Sequence, residues 1–311
     1  MALLSAEQLD RMHTSLDGLS IGDAFGDRIF FDFRTFQADV FAMPLAQRPL
    51  PAGCWSYTDD TQMALSIVEV LTQYGEIDQD ALARSFGHHF ERGRGYGAAM
   101  YDLLPQLRAG HSWRSAAPAL FGGKGSFGNG AAMRVAPLGA CFADDLPTVI
   151  EQAARSAEVT HTHPEATAGA IATAVAAAHA VQRYQTGSGP EGAAFLAQII
   201  QSVSVSAVRD GLIAACAIPA DTQIWEVVRA LGNGSGVTAQ DTVPYVLWCA
   251  AHRLDSYPEA IWLTASGLGD IDTTCAMVGG IVACATGKDG IPTDWLHRRE
   301  PLASWAFAAT T

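Results

Sequence analysis

Apolar residues along this chain return at three- and four-residue intervals, the spacing that lines one face of an α-helix. Leu9, Met12, Leu16 and Leu19 form one stripe, preceded by Ser5 and Gln8 spaced as a capping box. Met63, Ile67, Val68 and Leu71 form a second, and Leu146, Val149, Ile150, Ala153 and Ala157 a third. Further helices are predicted over roughly 166–183, 192–207, 223–231, 242–254, 258–265 and 274–285. Arg28–Phe33 reads as an isolated extended segment, and alternating strand–helix units are absent, which argues against a doubly wound sheet. Several helices are rich in Ala, Gly and Cys, and small residues let helix axes approach closely. The expectation is an all-α fold: one compact multi-helix domain over 1–311. Gln185–Pro190 is a clear loop and a candidate boundary, but helical pattern of the same kind continues beyond it.

With 311 residues, 49% of them hydrophobic and 16% charged, the chain has enough apolar material for a substantial core. A formal net charge of −13 argues against a broad nucleic-acid surface but leaves room for a local anion pocket. The six cysteines form no CxxC pair and read as small core residues in a reducing, cytoplasmic setting. The first residues lack the pattern of a secretory leader, and no apolar run reaches about 20 residues, so no membrane partner is expected.

Three polar clusters interrupt this apolar pattern. Thr58-Asp59-Asp60-Thr61 and Gly269-Asp270-Ile271-Asp272-Thr273 each precede an apolar helix. Asp and Thr are ordinary helix caps, and acids suit a first turn. Each cluster nevertheless holds more carboxylates than a cap uses. If the two meet, like charges about 4 Å apart repel by on the order of 4 kcal/mol per pair at an effective dielectric of 20, so protons or cations are required. Two divalent cations would balance four carboxylates, and an all-oxygen ligand set selects Mg²⁺ or Mn²⁺ over zinc.

The third cluster, Gly122–Gly130, carries five glycines in nine residues. Such a loop can wrap an anion with backbone N–H groups, or it can be a flexible connection. It fits neither the Walker A nor the Rossmann spacing. In Thr160-His161-Thr162-His163-Pro164, His163 reads as a helix cap before a proline at the first helical position. His161 can hydrogen-bond a phosphate or ribose; a zinc site using His161, His163 and His88 or His89 is the weaker reading. Gly22–Gly26 reads as the end of the first helix or as a surface packed against the acidic loops. Arg92–Gly97 reads as a loop over a cleft or a solvated turn.

Taken together, Gly22-Asp-Ala-Phe-Gly26, Thr58-Asp-Asp-Thr61, Gly125-Ser-Phe-Gly-Asn-Gly130, Thr160-His161 and Gly269-Asp-Ile-Asp-Thr273 resemble the ADP-ribosylglycohydrolase family, in the family's order and across nearly the whole chain. The resemblance implies an all-α fold with a metal-lined cleft and two divalent ions, Mg²⁺ or Mn²⁺. It implies Thr58, Asp59, Asp60, Asp270, Asp272 and Thr273 as metal ligands, with Asp59, Asp60 and Asp272 at the catalytic centre. Gly125, Ser126, Phe127, Gly128 and Asn129 would cradle the diphosphate of ADP-ribose or an ADP-ribosylated substrate. Phe127 would lie near a ribose or the adenine, and His161 would contact the ADP-ribose. Tyr96 is counted with the substrate-binding residues. The implied reaction is hydrolysis at the anomeric carbon of the distal ribose. The chain departs from the family at Gly26-Asp-Arg-Ile-Phe-Phe31, where many members carry a Gly-Ala-Pro-x-Glu pattern, so the acid of that pattern is missing. Two other functions follow from this departure: an ADP-ribose-binding module that does not cleave, or a hydrolase of another derivative such as the 1″-phosphate.

Overall fold

The computed structural model describes residues 4–34, 48 and 50–308, with the backbone alone for 30–34. Its α-helices run in chain order: α1 Ala6–Arg34, α2 Asp59–Tyr74, α3 Gln79–His88, α4 Ala98–Arg108, α5 Trp113–Gly123, α6 Ala136–Cys141, α7 Leu146–Glu158, α8 Pro164–Thr186, α9 Gly192–Ile200, α10 Ala207–Cys216, α11 Ile224–Leu231, α12 Ala239–Ala251, α13 Tyr257–Ala265, α14 Ile271–Thr286 and α15 Thr293–Arg298. Two isolated bridges, Trp55 with Arg299 and Gly128 with Thr238, are the extended pairings among the described residues. The fold is all-α, as the periodicity predicts.

The seam between α1 and α14 positions the acidic residues. Gly18, Gly22 and Gly26 recur every four residues along α1 and so share one face. A Cβ at Gly22 would lie 2.1 Å from the Cys275 carbonyl oxygen, and one at Gly26 would lie 2.6 Å from the Cα of Asp272. A Cβ at Gly18 would meet Ala283 at 2.3 Å. As α1 advances, its partners on α14 step backwards, so the helices run antiparallel with their backbones nearly touching. This corrects the reading of Gly22–Gly26 as a helix end. The glycines remove side chains so that two axes can meet, and α1 continues through Arg34. It also corrects the extended reading of Arg28–Phe33, whose backbone is helical.

An aromatic cluster fixes the chain entering α2. Phe25 of α1 stacks on Trp295 at 4.9 Å and meets Trp55 edge-on at 5.6 Å. Backbone bonds from Trp55 to Arg298 and from Glu300 to Trp55 lock the C-terminal segment alongside. The Ser5/Gln8 capping box forms in both directions, at 2.9 and 3.2 Å. Met63, Ile67, Val68 and Leu71 are buried, as their spacing predicts.

The expected helix 192–207 ends at Ile200, and Ala207 is already the first residue of the next helix, α10. The intervening serine-rich turn ends where the Ser206 side chain caps α10 by accepting from the Arg209 N–H. Hydroxyl side chains compete for backbone groups, and here Ser206 starts the next helix. Beyond Gln185–Pro190, α9 packs back on α8. Cys141, Cys249, Cys275 and Cys284 are buried, but Cys54 is exposed and Cys216 only half-buried. Among the described residues no helix is long and apolar enough to cross a membrane.

Candidate active site

The cap of α2 is the Thr58 hydroxyl, which accepts from the Asp60 N–H at 3.4 Å. Asp270 stands at the cap position of α14 but makes no side-chain capping bond. The carboxylates of both clusters are therefore surplus to helix termination. They also converge: Thr273 Oγ1 lies 3.4 Å from Asp60 Oδ2 although 213 positions separate them. Asp59, Asp270, Asp272 and Thr273 line one cavity of about 660 Å³.

Burial is the main force on these acids. It pushes Asp59 and Asp60 well above the usual carboxylate range, and neighbouring Asp272 and Asp23 add to the rise. Asp270 is raised to about 7 by burial and by Asp272. Asp272 is raised by burial as well. Asp60 Oδ1 is buried without a hydrogen-bond partner. No three His, Cys, Asp or Glu side chains among the described residues stand in a finished coordination geometry. The floor is a lining of mutually repelling oxygens that favours protons or cations.

The sequence reading missed Asp23 as a member of this site. It is fully buried on α1 and accepts from Thr58 N, Thr58 Oγ1 and Thr61 N, and from Thr61 Oγ1 at 2.5 Å. Its carboxyl is raised to about 7, chiefly by burial. Thr58 Oγ1 also lies 2.9 Å from Asp60 Oδ2, and its one proton can serve only one of the two carboxyls. An aspartate beside a seam glycine is not by itself a signal, since Asp17 and Asp27 stand in the same relation to Gly18 and Gly26 and are only half-buried.

The glycine-rich loop forms the wall. Ser126, Phe127, Gly128 and Asn129 line the cavity, and the Gly128 N–H donates to Ser126 Oγ at 3.2 Å. Gly125 holds a left-handed φ of 73°, and a Cβ there would strike Thr162 Oγ1 at 2.1 Å. Asn129 joins wall to floor: its Nδ2 donates to Asp270 Oδ2 at 2.7 Å. Phe121, 56% exposed on left-handed backbone, faces Phe127 with ring centroids 6.1 Å apart at the cavity edge. It was not singled out from the sequence.

His161 lines the same cavity and is held neutral, its pKa lowered to about 3 by burial and then by Arg134. His163 caps α8, accepting from the Glu165 N–H. His89 stacks on Trp305 at 3.5 Å. Among the described residues no three-histidine group stands together for zinc. Of the segment Arg92–Gly97, Gly95 and Gly97 line the cavity. Tyr96 is buried between them, with its ring against Phe90 and Tyr101. Arg94 donates to the Tyr57 carbonyl and pairs with Glu300, so the segment is anchored to the entry of α2.

The ADP-ribosylglycohydrolase family model matches residues 4–310. An ADP-ribosylhydrolase ARH3 of Xenopus tropicalis is 29% identical, covering 94% of this chain and 91% of that protein. The Homo sapiens ADP-ribosylhydrolase ARH3 is 28% identical, over 94% and 89%. An ADP-ribosylarginine hydrolase Tri1 of Pseudomonas putida is 27% identical, over 95% and 76%. A solved ADP-ribosylglycohydrolase-related protein complex superposes with a TM-score of 0.65 at 25% identity, covering 95% of this chain and 94% of that one. With acidic floor, glycine-rich wall and histidine assembled from motifs in the same order, the chain belongs to the ADP-ribosylglycohydrolase family.

Proposed function

We propose that this protein hydrolyses an ADP-ribosyl linkage at the anomeric carbon of the distal ribose. The observation that carries the proposal is the convergence of Asp59 and Asp60 with Asp270, Asp272 and Thr273 beneath the Ser126–Asn129 wall. The relatives' names, ADP-ribosylhydrolase and ADP-ribosylarginine hydrolase, support the same class of reaction.

The floor fits divalent cations. Its donors are all oxygen, Asp60 Oδ1 is buried and unpartnered, and its carboxyls disfavour being charged together. Thr58, Asp59, Asp60, Asp270, Asp272 and Thr273 would hold two such ions, Mg²⁺ or Mn²⁺. When bound, they supply Lewis-acid polarisation and a template for substrate oxygens. The protein's own contribution is to place the ligand. The Ser126–Asn129 wall would take the diphosphate, with the Gly128 and Asn129 N–H groups already engaged by Ser126 Oγ and the Val237 carbonyl; Phe127 with Phe121 offers apolar faces to the adenine or ribose, and neutral His161 offers a hydrogen bond. Burial of Ser126, Asn129 and His161 keeps water from competing at those residues.

A second reading, ADP-ribose binding without cleavage, is favoured by the missing glutamate at Gly26–Phe31. One experiment separates the two. Isothermal titration with ADP-ribose is paired with turnover assays on ADP-ribosylated arginine and serine and on ADP-ribose 1″-phosphate, each with Mg²⁺ and with Mn²⁺. Release of ADP-ribose from an amino-acid linkage supports the hydrolase. Binding without turnover selects the module, phosphate release alone redirects the substrate class, and neither binding nor turnover removes the proposal.

A further inference from the structure

His161 has a fixed proton arrangement, set by residues that do not touch the cavity. Thr160 is fully buried, and its Oγ1 accepts from Arg134 Nη2 at 2.9 Å. A guanidinium only donates, so the bond direction is certain. The same oxygen lies 2.7 Å from His161 Nδ1. A hydroxyl can accept twice, but this one is buried and its own proton also needs an acceptor. The partners of Thr160 Oγ1 are Arg134 and His161 Nδ1, and since Arg134 only donates, the proton goes to Nδ1, which is then an acceptor. A neutral imidazole with an unprotonated Nδ1 carries its proton on Nε2. That edge borders the glycine-rich loop: a Cβ on Gly128 would sit 3.3 Å from His161 Nε2, and one on Gly130 would sit 2.9 Å from it.

Arg134 itself is an unusual source for such a relay. It is fully buried, and its bonded partners are neutral: the Ser156 carbonyl at 2.9 Å, Met63 Sδ at 3.6 Å and Thr160. Its Cζ lies 4.5 Å from the Phe86 ring centroid. Burial lowers its pKa to about 9, which still leaves it charged at neutral pH. Among the described residues no acid hydrogen-bonds it, though Asp59 offsets part of the burial cost through space, and helix packing alone gives no reason for its bond to Thr160. Orienting a site histidine does.

We propose that Arg134 and Thr160 are positioning residues that lock His161 as a permanent Nε2–H donor toward the glycine-rich loop, so that it reads an oxygen acceptor on the ligand and takes no part in proton transfer. The relay stands on the unliganded geometry; only the identity of the acceptor, a diphosphate or ribose oxygen, rests on the ADP-ribose reading.

The test is the ring-nitrogen spectrum of ¹⁵N-histidine-labelled full-length protein, read beside ADP-ribose titration calorimetry. The wild type should show His161 as the Nε2–H tautomer, unchanged between about pH 5 and 9. Thr160→Val, nearly isosteric, should mix the tautomers and weaken ADP-ribose binding about tenfold, the loss expected for one misdirected hydrogen bond. Thr160→Ser should restore both. An Nδ1–H tautomer in the wild type overturns the relay whether or not any variant folds. So does a folded Thr160→Val protein with wild-type tautomer and affinity. A wild type that fails to bind ADP-ribose would reject the nucleotide reading, while its ring spectrum still decides the relay.

Discussion

Asp23 holds Thr58 by both its backbone N–H, at 3.0 and 3.1 Å, and its hydroxyl, at 2.8 Å, across 35 positions of sequence. The same carboxylate takes the N–H and hydroxyl of Thr61. One α1 side chain thus fixes the first turn of α2, on which Asp59 and Asp60 ride. Asp23→Ala would leave several buried donors unpaired. Each costs about 1–3 kcal/mol, and partial relaxation should leave a net destabilisation of roughly 3 kcal/mol. Urea unfolding measures this; a loss below about 0.5 kcal/mol would show that Asp23 does not organise the turn.

The acids of the floor give the protein a characteristic pH response. Asp23 and Asp270 are raised to about 7 in the folded chain, and Asp27, half-buried and near Asp272, to about 6. Their unfolded values lie near 3.8. The native state therefore binds more protons than the unfolded chain across that interval, and stability falls as pH rises from about 4 to 7. The stabilisation is fully present below the unfolded pKa and is gone above the folded one. Mg²⁺ or Mn²⁺ should reverse the loss by replacing protons, raising Tm more at pH 8 than at pH 5. Scanning calorimetry with and without chelator reads both. A Tm that rises toward pH 8 without ions would contradict the acidic-floor account.

The helical class was legible because period-3.6 stripes such as Met63–Leu71 survive unchanged in the fold. Thr58–Asp60 and Asp270–Thr273 were legible because each carries more carboxylate than a cap can use. What sequence alone could not show was partnership across distance. Gly22 and Gly26 looked like a helix end because their role, close approach to α14, exists only once α14 is in place. Asp23 was hidden for the same reason. Tyr96 drew notice by its motif neighbourhood, yet its ring goes into the core while the adjacent glycines face the cavity. Helices α3 to α5 were passed over because Pro105 and Pro118 interrupt the patterns of α4 and α5, and α3 is only ten residues long.

Gly22→Ala tests the α1–α14 seam. The new methyl group would lie 2.1 Å from the Cys275 carbonyl oxygen, a backbone atom that cannot swing aside. The helices must separate, at a cost of about 1–3 kcal/mol as for other overpacked cores. Asp272 sits one turn from that contact, so turnover of the best substrate should fall along with stability. Gly53→Ala is the control for the added methyl, since nothing lies within 4 Å of a Cβ there. Its effect should be confined to the strain of a left-handed φ of 83°. Equal losses in the two variants would show that close helix approach does not set the site.

Asn129→Asp tests whether wall and floor work as one unit. The amide donates to Asp270 Oδ2 at 2.7 Å and to Thr242 Oγ1 at 3.2 Å. Replacing it with a carboxylate of nearly the same shape turns the donor into an acceptor and sets like charges against each other. The repulsion should raise the Asp270 pKa further. It should also swing the Ser126–Asn129 backbone away from the diphosphate, while an added acid on the floor keeps or strengthens attraction for divalent ions. The expected result is opposite movement: ADP-ribose binding weakened at least about tenfold, with Mg²⁺ or Mn²⁺ binding unchanged or tighter. Asn129→Ala, which removes the link without adding charge, should weaken ADP-ribose binding and leave divalent binding near wild type. Titration calorimetry of both ligands on both variants reads this directly. If both ligands instead weaken in parallel with a drop in Tm, Asn129 supports only the loop's folding, and the coupling of diphosphate wall to acidic floor is wrong.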